Sequence, residues 1–239
     1  MIVPDKAMVF AAGIGTRMRP LTDAIPKPLV KVAGKALMDR MLDRFAAEGL
    51  GLAVVNVHYL AGQIEAHLAT RAAPRIVISD EREKLLDQGG GIVRALPLLG
   101  EAPFWICNTD AFWIEGPRSN LARMAAAWDP ARMDVLLLVA GMATSVGVDW
   151  AGDFAMAADG RLIRRAEREI APFAYAGVGI VKPGLFTGAH PPAFRLAPLF
   201  FAAAASDRLH GVRLDGIWLH VGTPEAVAEA ELAVERSAR

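Results

Sequence analysis

Cysteine is almost missing: Cys107, in the apolar run "FWIC", stands alone among 239 residues. No intramolecular disulfide can form, and a metal site built from several thiolates is excluded. A lone Cys in such a run is read as a buried thiol. Net charge is missing too, with 26 Lys and Arg against 26 Asp and Glu. That balance argues against nucleic acid or a membrane surface as partner, and leaves room for a local cationic pocket. No apolar stretch approaches the roughly 20 residues of a membrane span. The opening "MIVPDKAMVF" lacks the apolar core and cleavage site of a secretory leader, so a cytoplasmic location is expected. Tandem repeats and low-complexity linkers are absent as well.

What is present is a compact composition, 54% hydrophobic and 22% charged, in a chain long enough to bury a sizeable core. Strand-like runs at 7–12, 52–57, 75–79, 104–110 and 133–140 alternate with helical patterns. In "KALMDRMLDRFAAEGL", Leu37, Met38, Met41, Leu42 and Phe45 fall on one side. A further helix is expected to start directly after the three glycines of "GGGIVRALPLLG". Such alternation predicts an α/β fold: three-layer, Rossmann-like, with a mostly parallel sheet and helices on both faces. Ligands in such sheets sit beyond the carboxyl ends of the strands. After about residue 140 the pattern changes to short strands in a meander, a helix near 195–206, the strand "WLHVG" and a closing helix. Thr223 is suited to cap that helix, with Pro224 at its first position. The expected organisation is one domain over 1–239, with a first part over 1–140 and a smaller β-rich part over 141–239.

The first strand runs into "AAGIGTRMRPLTDAIPKPL". It is not a Walker A loop, because the Gly-Lys-Ser/Thr ending is missing, and no third small residue completes a dinucleotide fingerprint after Gly13 and Gly15. Taken alone, Gly13 and Gly15 describe an ordinary tight turn. Their neighbours change the reading. Glycines let backbone N–H groups approach phosphate oxygens. Arg17 adds a planar multi-donor cation, and Lys27, between Pro26 and Pro28, adds a point charge on a stiffened segment. Two cations and a Gly-rich turn suit a triphosphate.

This stretch resembles the signature of the sugar-1-phosphate nucleotidylyltransferases. Ala-Ala-Gly, Gly-Thr-Arg, Pro-Leu-Thr and Pro-Lys-Pro-Leu occur in order, and the likeness continues through "LLDQGGGI", "NTD" and "WLHVGTPEA". Within the family, "DQGGGI", "NTD", "GDF" and "FRLAPL" are most similar to the short bacterial enzymes acting on N-acetylmuramic acid 1-phosphate with UTP. Guanylyltransferases acting on mannose 1-phosphate are the alternative, and a non-catalytic nucleotide-sugar-binding regulator is the rival of another class. The resemblance implies a nucleoside triphosphate and a sugar 1-phosphate as partners, pyrophosphate as product, and Mg²⁺ (or Mn²⁺) as cofactor. The product would be a nucleotide sugar, UDP-MurNAc for peptidoglycan recycling on the preferred reading. A monomer or small homo-oligomer is expected.

Carried over residue by residue, the resemblance gives Ala11, Ala12 and Gly13 to the nucleotide and Gly15, Thr16 and Arg17 to the phosphates. Arg17 and Lys27 become the catalytic pair. Gln88, Gly89 and Gly90 would meet the base, and Asn108 would point at the nucleotide. Arg19 reads equally well as a surface cation. Asp110 becomes a metal ligand. The family's second metal-binding Asp is replaced here by His220, a softer, neutral ligand. Three readings of His220 stand: a metal ligand, a hydrogen-bond partner for phosphate or metal-bound water, or the mark of an impaired site. Asp153, Glu167 and Gly177 fall in the region of sugar contacts, where each equally suits a loop or turn. His58, His67, His190 and His210 suggest no catalytic pair.

Overall fold

The computed structural model describes residues 3–238. In chain order it runs β1 (Lys6–Phe10), β2 (Lys31–Val32), β3 (Lys35–Ala36), α1 (Leu37–Ala47), β4 (Leu52–Val57), α2 (Ala61–Leu68), β5 (Arg75–Asp80), α3 (Asp87–Leu99), β6 (Phe104–Asn108), β7 (Ala111–Glu115), α4 (Asn120–Ala127) and β8 (Val135–Gly141). Then follow β9 (Phe154–Met156), β10 (Leu162–Arg164), β11 (Phe173–Val181), α5 (Ala197–Ala205), β12 (Leu209–Arg213), β13 (Gly216–His220) and α6 (Pro224–Ser237). Short 3₁₀ turns at Thr16–Met18, Leu21–Asp23 and Lys27–Leu29 shape the long connection after β1.

A nine-stranded sheet orders β10-β9-β11-β6-β1-β4-β5, with β8 paired to β11 and β12 off that path. β6, β1, β4 and β5 are mutually parallel, as the β-α alternation predicts. Antiparallel β11 continues the sheet beside β6. Ala7, Met8 and Val9 are fully buried. Ala7 and Val9 join a cluster with the apolar sides of α1, α2 and α4. Met8 joins the opposite cluster with Ile92 of α3 and Phe200 of α5. The sheet is therefore buried on both faces, which is why its parallel strands read as continuous apolar runs. The expected stripe Leu37, Met38, Met41, Leu42 and Phe45 is the buried side of α1. Cys107 is buried in β6. Thr223 caps α6, its side chain accepting from the N–H of Ala226, with Pro224 at the first position.

Three differences from the sequence reading have local causes. The strand expected to reach residue 110 stops at Asn108. There the Thr109 hydroxyl donates to the Phe10 carbonyl (2.7 Å), the chain turns, and β7 begins. β12, which no apolar run announces, pairs in parallel with β8. The third helix starts at Asp87 and contains the three glycines instead of following them. Tertiary packing outweighs helix propensity at that point. A Cβ on Gly89 would lie 2.3 Å from the Phe194 ring, one on Gly90 2.2 Å from the Pro192 carbonyl oxygen, and one on Gly91 2.7 Å from a Glu81 carboxylate oxygen.

β11 carries the feature that opens the site. Val178 to Val181 pair with β6, whereas Phe173 pairs with β9. Between them the register against β8 shifts, from Tyr175 to Gly179. Gly177 sits in that irregularity with φ +87°, and a Cβ there would lie 3.1 Å from Cβ of Asn108. The strand thus leaves β6 at the level of Asn108 and opens a gap beside it.

Gly90→Ala tests the helix packing. Alanine is the better helix former, yet the substitution is expected to destabilise the protein by about 1–3 kcal/mol through overpacking against Pro192. Urea denaturation measures it, and an unchanged or raised midpoint would remove the packing explanation.

Candidate active site

The carboxyl ends of β1, β4 and β5 are tied together by one buried side chain. Asn56, near the end of β4, accepts from the N–H of Ala11 (2.8 Å) and donates to Glu81 (2.8 Å). The second Glu81 oxygen accepts from the N–H of Leu86 (3.1 Å), which leads into α3. His58 Nδ1 donates to the Glu81 carbonyl (2.7 Å). Burial raises the Glu81 carboxyl above its ordinary value, against the two hydrogen bonds it accepts. The network fixes the glycine-rich loop on one side and the start of α3 on the other.

The loop after Gly13 is held by a second set of bonds. Gly15 adopts φ +72°, and its carbonyl accepts from the Thr22 hydroxyl (2.8 Å). Tyr59 donates to the Thr22 carbonyl (2.9 Å). Pro26 enters in an extended conformation, and Lys27 to Leu29 form a 3₁₀ turn. Lys27 Nζ is thereby delivered to Asp110 Oδ2 at 3.1 Å. Burial pushes the Asp110 carboxyl up, but Lys27, His220 and Arg17 together outweigh it and leave it below the usual carboxylate range. Cys107 beneath is a thiol whose pKa burial pushes up, so it stays protonated.

His220 reaches Asp110 through the small antiparallel sheet β7–β13, whose register sets His220 opposite Ala111. The N–H of Val221 donates to the Asp110 carbonyl (2.8 Å). His220 Nδ1 lies 3.2 Å from the Gly147 carbonyl, so this nitrogen carries the proton and Nε2 keeps its lone pair. Nε2 is 3.9 Å from Asp110 Oδ2. Burial lowers the imidazole pKa below its ordinary value despite the nearby carboxylate, which keeps the ring neutral at neutral pH. Trp150 and Trp218 pack on the ring, at 5.2 and 5.7 Å between centroids. A carboxylate oxygen and an imidazole lone pair therefore face each other with no hydrogen atom between them. That arrangement fits a divalent cation bound by two protein groups, and the carbonyl bond to Nδ1 is the usual orienting contact of a metal-binding histidine. Among the described residues no group of three or more His, Cys, Asp or Glu is arranged to hold a metal. The remaining positions would fall to phosphates and water, as is common for Mg²⁺.

Two cavities meet here. One of about 200 Å³ is lined by Ala11, Ala12, Gly13, Lys27, Gln88, Asn108 and Asp110, among others. The second, about 410 Å³, is lined by Asp153, Glu167, Tyr175 and parts of β10 and α5. Gln88 and Asn108 border both, joined by a hydrogen bond of 2.9 Å. Arg17 lines a third, polar cleft with His220 and Thr223. Gly15 and Thr16 belong to the turn that carries Arg17 and do not line the first cavity. Gly89 and Gly90 lie behind Gln88 against Phe194 and Pro192, so their missing side chains serve packing within the chain. Gly177 makes room for Asn108, while Asp153 accepts from the N–H of Tyr175 (2.9 Å). Arg19 is an exposed cation paired with Asp23 (3.1 Å). The sequence reading missed Asn56, Glu81, Thr22 and Gly147. Two of these left a signal: Thr22 stands in the Pro-Leu-Thr element, and Asn56 is the one polar residue of "LAVVNV".

Residues 6–140 match the Nucleotidyl transferase family. The chain is 51% identical over 236 residues to the N-acetylmuramate alpha-1-phosphate uridylyltransferase of Caulobacter vibrioides, covering 96% of this chain and 98% of that protein. It is 36% identical over 230 residues to the protein of the same name from Neisseria meningitidis serogroup B, covering 95% and 96%. The fold is that of an apo UDP-glucose pyrophosphorylase, with a TM-score of 0.75 at 17% identity over 98% of this chain and 99% of that one.

Asn56→Ala leaves the Ala11 N–H and one Glu81 oxygen without partners. It is expected to cost about 2–4 kcal/mol in urea denaturation and to weaken nucleotide binding. A loss below about 0.5 kcal/mol would show that the network does not fix the loop. The His220 ring should titrate below its ordinary 6.5, observable by NMR of the ring protons. Because the unfolded chain then binds the proton more readily, His220 adds to the rise of stability with pH just below 6.5 and adds nothing above it.

Proposed function

The chain belongs to the nucleotidyl transferase family, and from that premise we propose that it condenses UTP with N-acetylmuramic acid 1-phosphate, releasing pyrophosphate. The sugar-1-phosphate nucleotidyltransferase class follows from the family and from relatives matched over nearly their whole lengths. The substrate pair rests on the names of those relatives. Within the structure, the observation that carries the reading is the pair of cavities joined at Gln88 and Asn108, beside the Lys27–Asp110 contact. A nucleotide in the first cavity and a sugar in the second would bring their phosphates together at that contact.

An oxygen of the sugar phosphate attacks the α-phosphorus of UTP, the bond to the β-phosphate oxygen breaks, and pyrophosphate leaves. The nucleophile is already an anion at neutral pH, so the site needs no strong base. It needs alignment and relief of repulsion between two polyanions. Ala11, Ala12 and Gly13 approach the nucleotide with backbone, and Gln88 and Asn108 lie between base and sugar. Lys27 exchanges Asp110 for the reacting phosphates. Arg17 has no hydrogen-bond or ion-pair partner among the described residues and is free to take the leaving pyrophosphate. Asp110 and His220 would hold Mg²⁺, which would supply charge neutralisation when bound. Mn²⁺ suits the imidazole ligand better than Mg²⁺ does.

The test is pyrophosphate release with UTP, GTP, dTTP or CTP, each offered N-acetylmuramic acid, N-acetylglucosamine, glucose or mannose 1-phosphate, under Mg²⁺ and Mn²⁺. UTP with N-acetylmuramic acid 1-phosphate should be the preferred pair, and Arg17→Ala should lower its kcat about 100-fold or more. Preference for GTP and mannose 1-phosphate would replace the substrates. UTP binding without pyrophosphate release from any pair would overturn the reading.

A further inference from the structure

The wall of the second cavity carries a cation that no described carboxylate pairs with. Arg164 ends β10, two residues beyond the buried Leu162 on the same side of the strand. Its guanidinium lies 3.9 Å over the Phe201 ring of α5, and both residues line the cavity. Among the described residues the Arg164 side chain makes no hydrogen bond or ion pair. The neighbouring Arg165 is different. Its guanidinium donates to the carbonyls of Gly152 (3.0 Å), Ala166 (3.2 Å) and Glu169 (2.8 Å), and so serves to fold the loop. Tyr175 lines the same cavity with a buried hydroxyl that has no partner.

A guanidinium held over an aromatic ring keeps its place and still has its N–H donors to offer, and a guanidinium's fork of donors matches a carboxylate. A neutral sugar would leave this charge unanswered. We infer that Arg164 is the residue by which the enzyme selects a sugar 1-phosphate bearing a carboxylate substituent, with the Tyr175 hydroxyl as a neighbouring contact. The assignment rests on the proposed function: N-acetylmuramic acid differs from N-acetylglucosamine by a lactyl ether that ends in a carboxylate. The sugar's phosphate is not the group concerned, because Arg164 does not line the cavity that holds Lys27 and Asp110. Glu167 shares the cavity lining and has the opposite sign, which favours an acid settling on the Arg164 side.

The experiment compares kcat/KM for N-acetylmuramic acid 1-phosphate and N-acetylglucosamine 1-phosphate, with UTP, in the wild type, Arg164→Met and Arg164→Lys. Methionine keeps an unbranched stem over Phe201 and removes the charge. Arg164→Met should lose about 10- to 100-fold with the acid-bearing sugar, through KM. It should stay within about twofold of wild type with N-acetylglucosamine 1-phosphate, and Arg164→Lys should recover part of the loss. An unchanged melting temperature for Arg164→Met would confirm that folding is not the cause. An equal loss with both sugars, or no loss with either, would overturn the assignment while the substrate reading stands. If the wild type does not turn over N-acetylmuramic acid 1-phosphate at all, the substrate reading fails first and the assignment falls with it.

Discussion

Asn56 spends both ends of its amide inside the protein, and the nucleotide side of the fold depends on that. A parallel sheet delivers several strand ends to one edge but leaves their backbone groups without partners in the ladder. Here one amide takes the N–H of Ala11 and donates to Glu81, which takes the N–H of Leu86. Three chain segments distant in sequence are thus fixed to one another through fully satisfied buried groups. A buried network of this kind favours a single arrangement, because any alternative leaves a donor or a carboxylate unpaired in a low-dielectric interior. The two donors aimed at the carboxylate offset only part of the cost of its burial.

The second constraint comes from the later part of the chain. β13 returns to pair with β7, and only that pairing sets His220 beside Asp110, 110 positions earlier in sequence. Gly147 completes the arrangement by holding Nδ1. Replacement of a carboxylate by an imidazole removes one negative charge from the site. The loss need not weaken a cation-binding role, because the imidazole is oriented and its free lone pair faces the remaining carboxylate. It also lowers the repulsion that a second carboxylate would exert on incoming phosphates.

The parallel strands and the opening loop were legible in the sequence because their signals are local. "AMVF", "LAVVNV" and "FWIC" are apolar on both faces, and Arg17, Lys27 and Asp110 lie at strand ends or in the loop that follows one. The glycines at 89–91 misled the reading of α3, since their reason lies in Phe194, Pro192 and Glu81, far away in sequence. β7 has no counterpart in the sequence reading, because Thr109 and Asp110 look like the polar end of a strand running into a loop. The turn is made by a hydrogen bond to Phe10, across the sheet. Gly177 was read as a sugar contact, and its visible reason is room for Asn108. What was illegible in each case is a contact between distant segments.

Pairing of charges separates structure from function in this molecule. Asp134 is held by Lys182 and Arg208, and Arg71 is held by Asp39 and Asp43. Such pairs are complete without any ligand. At the site the situation differs. Among the described residues Lys27 is paired with Asp110, Arg17 makes no hydrogen bond or ion pair, and the Arg164 side chain meets the Phe201 ring. An ion pair already made gains little from a substrate, because binding must first break it. Cations kept free or weakly held contribute their full attraction to an incoming polyanion. Two such cations lie at separate places, Arg17 in the cleft with His220 and Arg164 beside Phe201 in the second cavity. That distribution suits substrates carrying negative charge at more than one place, and it would be poorly used by a neutral sugar.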